Sequence, residues 1–289
     1  MTTILVLGNA SVDVTLTMHR LPKPGETVVA TGATIAPGGK GLNQAVVAAR
    51  AGTRTRFCAP IGMDEDGDLV AAALAAEPFA EVVLHRKATP TDRSIVMVGS
   101  DGENSIVTVG GSADALTSAE ASAFVGSGDA GDWLLVQGNL SLTATLAAVR
   151  AAGGPIVLNA APLRWELDAV LALCRVIVVN QHEAAAVTGS DDPAAALAWF
   201  QARGCRTPIV TLGGDGCLWA EDGDTRHLPA DQAVVTDTTG AGDTFCGVLA
   251  ARMVQKLSLH DAILSAQAAS ALTVTRAGVF AALPTAIEL

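Results

Sequence analysis

Short β-branched apolar runs alternate with alanine-rich stretches of helical length along most of this chain, and few architectures accommodate that rhythm. ILVLG, DWLLVQG, PIVLNA, VIVVN and PIVTLG are apolar at nearly every position rather than at every second one, as strands covered on both faces must be. Among them lie TATLAAVRAAG, LDAVLALC and DPAAALAWFQARG, with two more helices expected beyond residues 243 and 258. Strands alternating with helices predict βαβ crossovers, hence an α/β fold: a central, mostly parallel, Rossmann-like sheet sandwiched by helices. Composition suits this, since 289 residues that are 50% hydrophobic but only 3% aromatic can fill one large core with Ala, Val and Leu. ILVLG ends at Gly8 and reads as a buried first strand rather than a signal peptide, and no apolar run has the length of a membrane span.

Two segments break the rhythm. Residues 13–36, DVTLTMHRLPKPGETVVATGATIA, and 92–110, DRSIVMVGSDGENSIVTVG, alternate as antiparallel strands do, the second around a hairpin turn expected at SDGEN. They form either a small separate sheet or edges of the main one. By the period of two, Arg93, Ile95 and Met97 share one face, and Ser94, Val96 and Val98 the other. Arg93 therefore either meets an anionic substituent of a ligand or stands in solvent or at an interface, depending on which face is covered.

Chemistry concentrates in two glycine-rich turns that each run into a helix. In TDTTGAGDTFCG, residues 236–247, Asp243 falls in the first helical turn. The N–H groups of Ala241, Gly242 and Asp243 lack intrahelical acceptors there and carry the positive end of the helix dipole. A base aimed at a hydroxyl, beside donors aimed at a moving phosphoryl group, is what phosphoryl transfer needs. A plain N-cap aspartate is the simpler alternative. In PGGKGLNQ, residues 37–44, glycines permit close backbone approach to a ligand, while Lys40 and Asn43 offer directional donors. The same glycines could serve only to pack the following helix, AVVAARAG, on a sheet. Neither GxxxxGK[ST] nor GxGxxG spacing is present, which sets aside a Walker A loop and a dinucleotide fingerprint.

PGETV at 24–28, PGGKGLNQAVVAARAG at 37–52, NQHE at 180–183, VTLGGDG at 210–216 and DTTGAGDTFCG at 237–247 together resemble the ribokinase (PfkB) family of carbohydrate kinases, in order and spacing over nearly the whole chain. The stretch around Asn43, LNAAP at 158–162 and HEAAAVTG at 182–189 place the likeness nearest the family's ribose-phosphorylating members. The resemblance implies a ribokinase-like single domain over residues 1–289, in which the two departing segments form a small β-sheet lid over the sugar. It also implies a homodimer joined through that lid. The implied activity is ATP-dependent phosphorylation of a primary hydroxyl of a small sugar, ribose first, with ATP, Mg2+ and K+ as cofactors.

For catalysis the resemblance points to Asp243 as base, with Gly240, Ala241 and Gly242 around the moving phosphoryl group. For the sugar it points to Ser11, Asp13, Gly38, Gly39, Lys40, Asn43 and Asn139, together with Asp243. Asp13 also follows the first strand at its carboxyl end, where open α/β sheets bind ligands, although an acidic residue there is often only a turn former. For the nucleotide the implied set is Asn180, Glu183, Thr211, Gly213, Gly214, Gly216, Gly242 and Gln267. Asn180 and Glu183 stand at i and i+3 where a strand yields to a helix; they suit ordering hydrated magnesium or forming a capping box, and the two roles can coexist. For potassium the matching positions are Asp237, Thr239, Thr273, Arg276, Gly278 and Ala282. Two departures stand out: Asn139 replaces the family's common glutamate, making a charged contact neutral, and Ala282 replaces a frequent serine.

Eighteen basic against 29 acidic residues leave a net charge of −11 with no basic cluster, which argues against nucleic acid or an anionic membrane as partner. Positive field for a nucleotide must then be gathered locally, through helix ends, Lys40 and magnesium. Cys58, Cys174, Cys205, Cys217 and Cys246 form no CxxC pair and read as reduced thiols of a cytoplasmic protein, Cys246 as a packing residue. Two alternatives stay open. One is a family kinase of another sugar, sugar acid or nucleoside, kept alive by Asn139 and Arg93. The other is a non-catalytic sugar-binding regulator, against which intact Asp243, Asn180 and Glu183 argue.

Overall fold

The computed structural model describes residues 2–100 and 104–289. In chain order the elements are β1 (Ile4–Leu7), β2 (Ser11–Met18), β3 (Gly32–Gly38), α1 (Lys40–Arg50), β4 (Thr55–Gly62), α2 (Glu65–Ala75), β5 (Glu81–Lys87), β6 (Asp92–Gly99) and β7 (Asn104–Val109). There follow α3 (Ser118–Gly126), β8 (Trp133–Gln137), α4 (Leu142–Ala151), β9 (Ile156–Asn159), α5 (Asp168–Leu171), β10 (Val176–Asn180), α6 (Gln181–Thr188), α7 (Pro193–Ala202) and β11 (Thr207–Thr211). The chain continues with β12 (Cys217–Glu221), β13 (Asp224–Leu228), α8 (Ala241–Val254) and α9 (Leu259–Thr273).

The main sheet has nine strands in the order β13-β12-β11-β10-β9-β8-β1-β4-β5. All pairings from β11 to β5 are parallel, and β12 and β13 add an antiparallel edge. The apolar runs have no polar face because both faces are covered. On β1, Ile4 and Val6 pack with Leu42, Val46, Phe245 and Val248 from α1 and α8, whereas Leu5 and Leu7 pack with Phe124, Val125, Ala144 and Ala148 from α3 and α4. Each fully buried Leu, Ile or Val contributes about 1.5–3 kcal/mol, so β1 alone anchors the two layers firmly. Later strands lie on both sides of β1, β4 on one and β8 on the other, which makes its carboxyl end a switch point of the topology.

The two departing segments build a separate four-stranded sheet, β3-β2-β6-β7, and are not edges of the main one. β2 already starts at Ser11, two residues ahead of the expected boundary, and the turn expected at SDGEN, residues 100–104, has its centre at 101–103, outside the described residues. Two carboxylates tie this sheet to the body. Asp64 accepts from the Gly67 N–H and from both the N–H and hydroxyl of Thr91, while Asp92 accepts from the N–H groups of Gly111 and Ala113. The register sets Asp13 opposite Ser94 on β6 and Ala36 on β3. Arg93 therefore lies on the other face, where its guanidinium pairs with Asp66 of α2 at 2.7 Å and remains 49% exposed. Its pairing with Asp66 and its exposure favour the solvent-facing alternative for Arg93.

Candidate active site

Gly240, at φ 85°, turns the chain through the left-handed region and delivers it into α8. That turn uses one of the three donors expected to be free: Ala241 N–H donates to the Thr238 carbonyl at 3.3 Å. The donor set is thereby corrected to two, since only the N–H groups of Gly242 and Asp243 lack an acceptor among the described residues. Asp243 itself is 6% exposed. Asn43 Nδ2 donates to its Oδ2 at 3.0 Å, Gln44 Nε2 donates to its Oδ1 at 3.0 Å, and Lys40 Nζ stands 3.9 Å from Oδ1. Two glycine-rich turns, 200 positions apart, thus meet at one carboxylate.

α1 reaches this point because its first turn rests on the bend after β1. Asn9 accepts from the Gly41 N–H on its side chain at 3.2 Å and from the Leu42 N–H on its carbonyl at 3.0 Å. Gly38 and Gly39 bring the chain against Asp13 and Ser11, and the Ser11 hydroxyl donates to Asp13 at 3.1 Å. Burial raises the Asp13 carboxyl, and Asp243 adds to the rise, against hydrogen bonds from Ser11 and Ser94. Lys40 is held above its ordinary value by the charge of Asp243, with Glu183 adding, although burial opposes. Asn139 is buried; its Nδ2 donates to Asn9 Oδ1, and Arg164 holds its backbone carbonyl at 2.7 Å. Asn43 Oδ1 and Asn139 Oδ1 are buried acceptors without a partner among the described residues. Together with the carboxylates of Asp13 and Asp243 they make an acceptor-rich lining, the complement of a ligand that carries several hydroxyl donors.

At the nucleotide end the capping box is formed in both directions, Glu183 N–H to Asn180 Oδ1 and Asn180 N–H to Glu183 Oε2, each 2.8 Å. Burial pushes the Glu183 carboxyl up, Lys40 opposes, and Asp243 adds, so this helix start lies within electrostatic reach of the base. Thr211 stands in register beside Asn180. After it Gly213 and Gly214 form a tight turn closed by Leu212 N–H to the Gly216 carbonyl at 2.7 Å. Gly216 lies against Leu228 to Ala230, and Gln267 Nε2 donates to Pro229 O at 3.0 Å, which joins Gln267 to the same cluster.

At the potassium positions, Asp237 accepts from Thr239 N–H at 2.9 Å and Gly278 N–H at 3.1 Å, binding segment 236–239 to 274–278. Ala282 is fully buried, Thr273 hydrogen-bonds Thr244 through its hydroxyl, and the Arg276 guanidinium turns to Glu288. Burial pushes the Cys246 thiol well up and all five cysteines are unpaired and buried, in keeping with packing roles.

Asn9, Gln44, Gln137 and Asn159 join the site without having stood out in the sequence. Their available signal was a polar residue inside an otherwise apolar buried run, as in NQAVVAA and PIVLNA.

The profile of the pfkB family carbohydrate kinases matches residues 1–286. The ribokinase of Haemophilus influenzae is 33% identical over 99% of this chain and 96% of its own length. A bifunctional ribokinase/ribose-5-phosphate isomerase A of Fructilactobacillus sanfranciscensis is 34% identical over 98% of this chain, which spans 54% of that longer protein. The structure of the Arabidopsis thaliana ribokinase complexed with ribose and ATP superposes with a TM-score of 0.87 over 99% of this chain and 96% of that one, at 28% identity. A ribokinase-like fold, the two glycine turns meeting at Asp243 and full-length relatives at one third identity converge: the chain belongs to the pfkB family of carbohydrate kinases.

Proposed function

We propose that this protein transfers the γ-phosphoryl group of ATP to the primary hydroxyl of ribose, giving ribose 5-phosphate. The observation that carries the proposal is the buried Asp243 carboxylate, bonded to Asn43 of the sugar-side turn and adjoining two unpaired N–H groups at the start of α8. Asp13, Asn43 and Asn139 hold the sugar hydroxyls, and Asp243 takes the proton of the hydroxyl that attacks. The N–H groups of Gly242 and Asp243, with Lys40 beside them, face the charge that develops on the phosphoryl group. The lid sheet excludes water, which would otherwise compete as nucleophile.

Asn180 and Glu183 suit a hydrated magnesium ion, because Mg2+ keeps several waters and needs few protein ligands; no cluster of three metal-type side chains occurs among the described residues, and none is required. When bound, magnesium neutralises phosphate charge. Asp237 keeps lone pairs beyond its two backbone bonds and would hold potassium next to the start of α8. Equal rates in potassium, in sodium and without a monovalent cation would remove potassium from the scheme. Exposed Ile35, Val107 and Val109 on the lid support pairing of two copies there. No helix among the described residues is long and apolar enough to cross a membrane, and the use of ATP supports a cytoplasmic setting.

A coupled ADP-release assay across ribose, deoxyribose, fructose, ketodeoxygluconate and common nucleosides tests the acceptor. Ribose is expected to stand far above the rest. The neutral Asn139 favours one second reading, a kinase of another sugar, and a different acceptor dominating the panel would establish it in place of ribose.

A further inference from the structure

We propose that Gln44 is a positioning residue for the base, the last member of a buried carboxamide relay that sets the orientation of Asp243. The inference rests on the assignment of Asp243 as general base. Gln44 is fully buried, with 0% exposure, and it makes three hydrogen bonds. Its Nε2 donates to Asp243 Oδ1 and to Asn159 Oδ1, each at 3.0 Å, and its Oε1 accepts from Gln137 Nε2 at 2.9 Å. Asn159 Nδ2 in turn donates to the Val178 carbonyl of β10 at 3.2 Å.

The direction of every bond follows from its two ends. A backbone carbonyl only accepts, so Asn159 must turn its NH2 to Val178 and its oxygen to Gln44. Gln44 must then present its NH2 to both Asn159 and the carboxylate, which also only accepts, and its oxygen is left for Gln137. Flipping Gln44 would set oxygen against oxygen at Asn159 and Asp243 together and NH2 against NH2 at Gln137. The relay spans α1, β8, β9 and β10 and ends on the reacting carboxylate, so one side of Asp243 is referenced to the rigid sheet. The other oxygen, Oδ2, faces Asn43, which belongs to the sugar side. Gln44 is fully buried, and its NH2 and its oxygen both bond inside the protein, so it does not reach a ligand. Its contribution to the rate is therefore made through Asp243.

The test separates turnover from binding. Gln44→Met keeps the bulk and removes the donor; kcat is expected to fall on the order of 10- to 100-fold, with KM for ribose and ATP within about threefold of wild type. Asn159→Leu, which touches neither Asp243 nor the sugar hydroxyls assigned above, should lower kcat less, and the double variant should be no slower than Gln44→Met, because both act through one bond. Gln44→Glu can donate to Asp243 only when protonated, so its kcat relative to wild type should rise as pH falls, a trend that loss of packing alone would not produce. Full kcat in Gln44→Met, or a loss confined to KM, overturns the inference. If Gln44→Met does not fold by thermal melting, a pH-independent ratio for Gln44→Glu overturns it instead. Asp243→Asn is assayed in parallel: full rate there removes the base assignment itself, whereas an inactive Asp243→Asn beside a fully active Gln44→Met removes only the relay.

Discussion

Asp13 is raised from the ordinary 3.8 by burial first and by Asp243 as well, so holding it ionised in the folded protein costs stability. Below pH 3.8 the carboxyl is protonated in folded and unfolded chains alike and contributes nothing; as pH rises through the folded value the unfolded chain is favoured, and the cost stays at neutral pH. Asp13→Asn is therefore expected to stabilise the free enzyme at pH 7 by about 0.5–2 kcal/mol and to show no gain near pH 3. It should also weaken ribose binding about 10- to 100-fold, because bonds from hydroxyls to a charged acceptor are the stronger ones. Urea titrations at the two pH values and calorimetric titration with ribose measure both effects. Residues of this kind had a signal in the sequence: Asn43 and Asp243 lie in first helical turns entered through glycines, while Asp13, expected just past the first strand, lies instead as the third residue of β2. Asn9, Gln44 and Asn159 did not stand out. Each is a plain amide whose purpose exists only when separate segments converge, and a linear reading has no term for that convergence.

Helix α8 crosses α1 at backbone contact, and the crossing carries the geometry of the site. A Cβ on Gly247 would lie 2.6 Å from the Gln44 carbonyl and 3.1 Å from Val47 Cβ, so a side chain there must push the helices apart. Gly247→Ala is expected to destabilise the fold by about 1–3 kcal/mol. It should also lower kcat, because Gln44 and Asp243 ride on the two separated helices. Unchanged stability together with unchanged kcat would show that the crossing is slack. The five apolar runs named from sequence all became strands, β1, β8, β9, β10 and β11, because burial on both faces leaves an unbroken apolar signature. TRFCAPIG and EVVLHRK, which form β4 and β5, escaped that pattern, as did the β12–β13 hairpin. β5 and β13 are the sheet edges, partly exposed and charged, whereas β4 is buried except at Arg56 and its apolar run is interrupted by Arg56 and Pro60.

The proposed site lies at the switch point of a doubly covered sheet, and the separate four-stranded sheet beside it leaves apolar side chains exposed. Ile35 is 62% exposed, Val107 55% and Val109 62%, an arrangement that suits burial against a second copy. Val107→Asp is expected to convert a dimer to a monomer in sedimentation velocity; a wild-type chain that is already monomeric at micromolar concentration would contradict lid-to-lid pairing. The alternation of strands and helices made the α/β layout legible, and the resemblance then decided between lid and sheet edge, which periodicity alone had left open. The catalytic assignment depends on two distant turns sharing one carboxylate, and single-turnover phosphoryl transfer to ribose by Asp243→Asn probes it most directly. A rate lower by about 10²- to 10⁴-fold, with ribose affinity and melting temperature close to wild type, is the expected result; transfer at the wild-type rate would show that another group takes the proton.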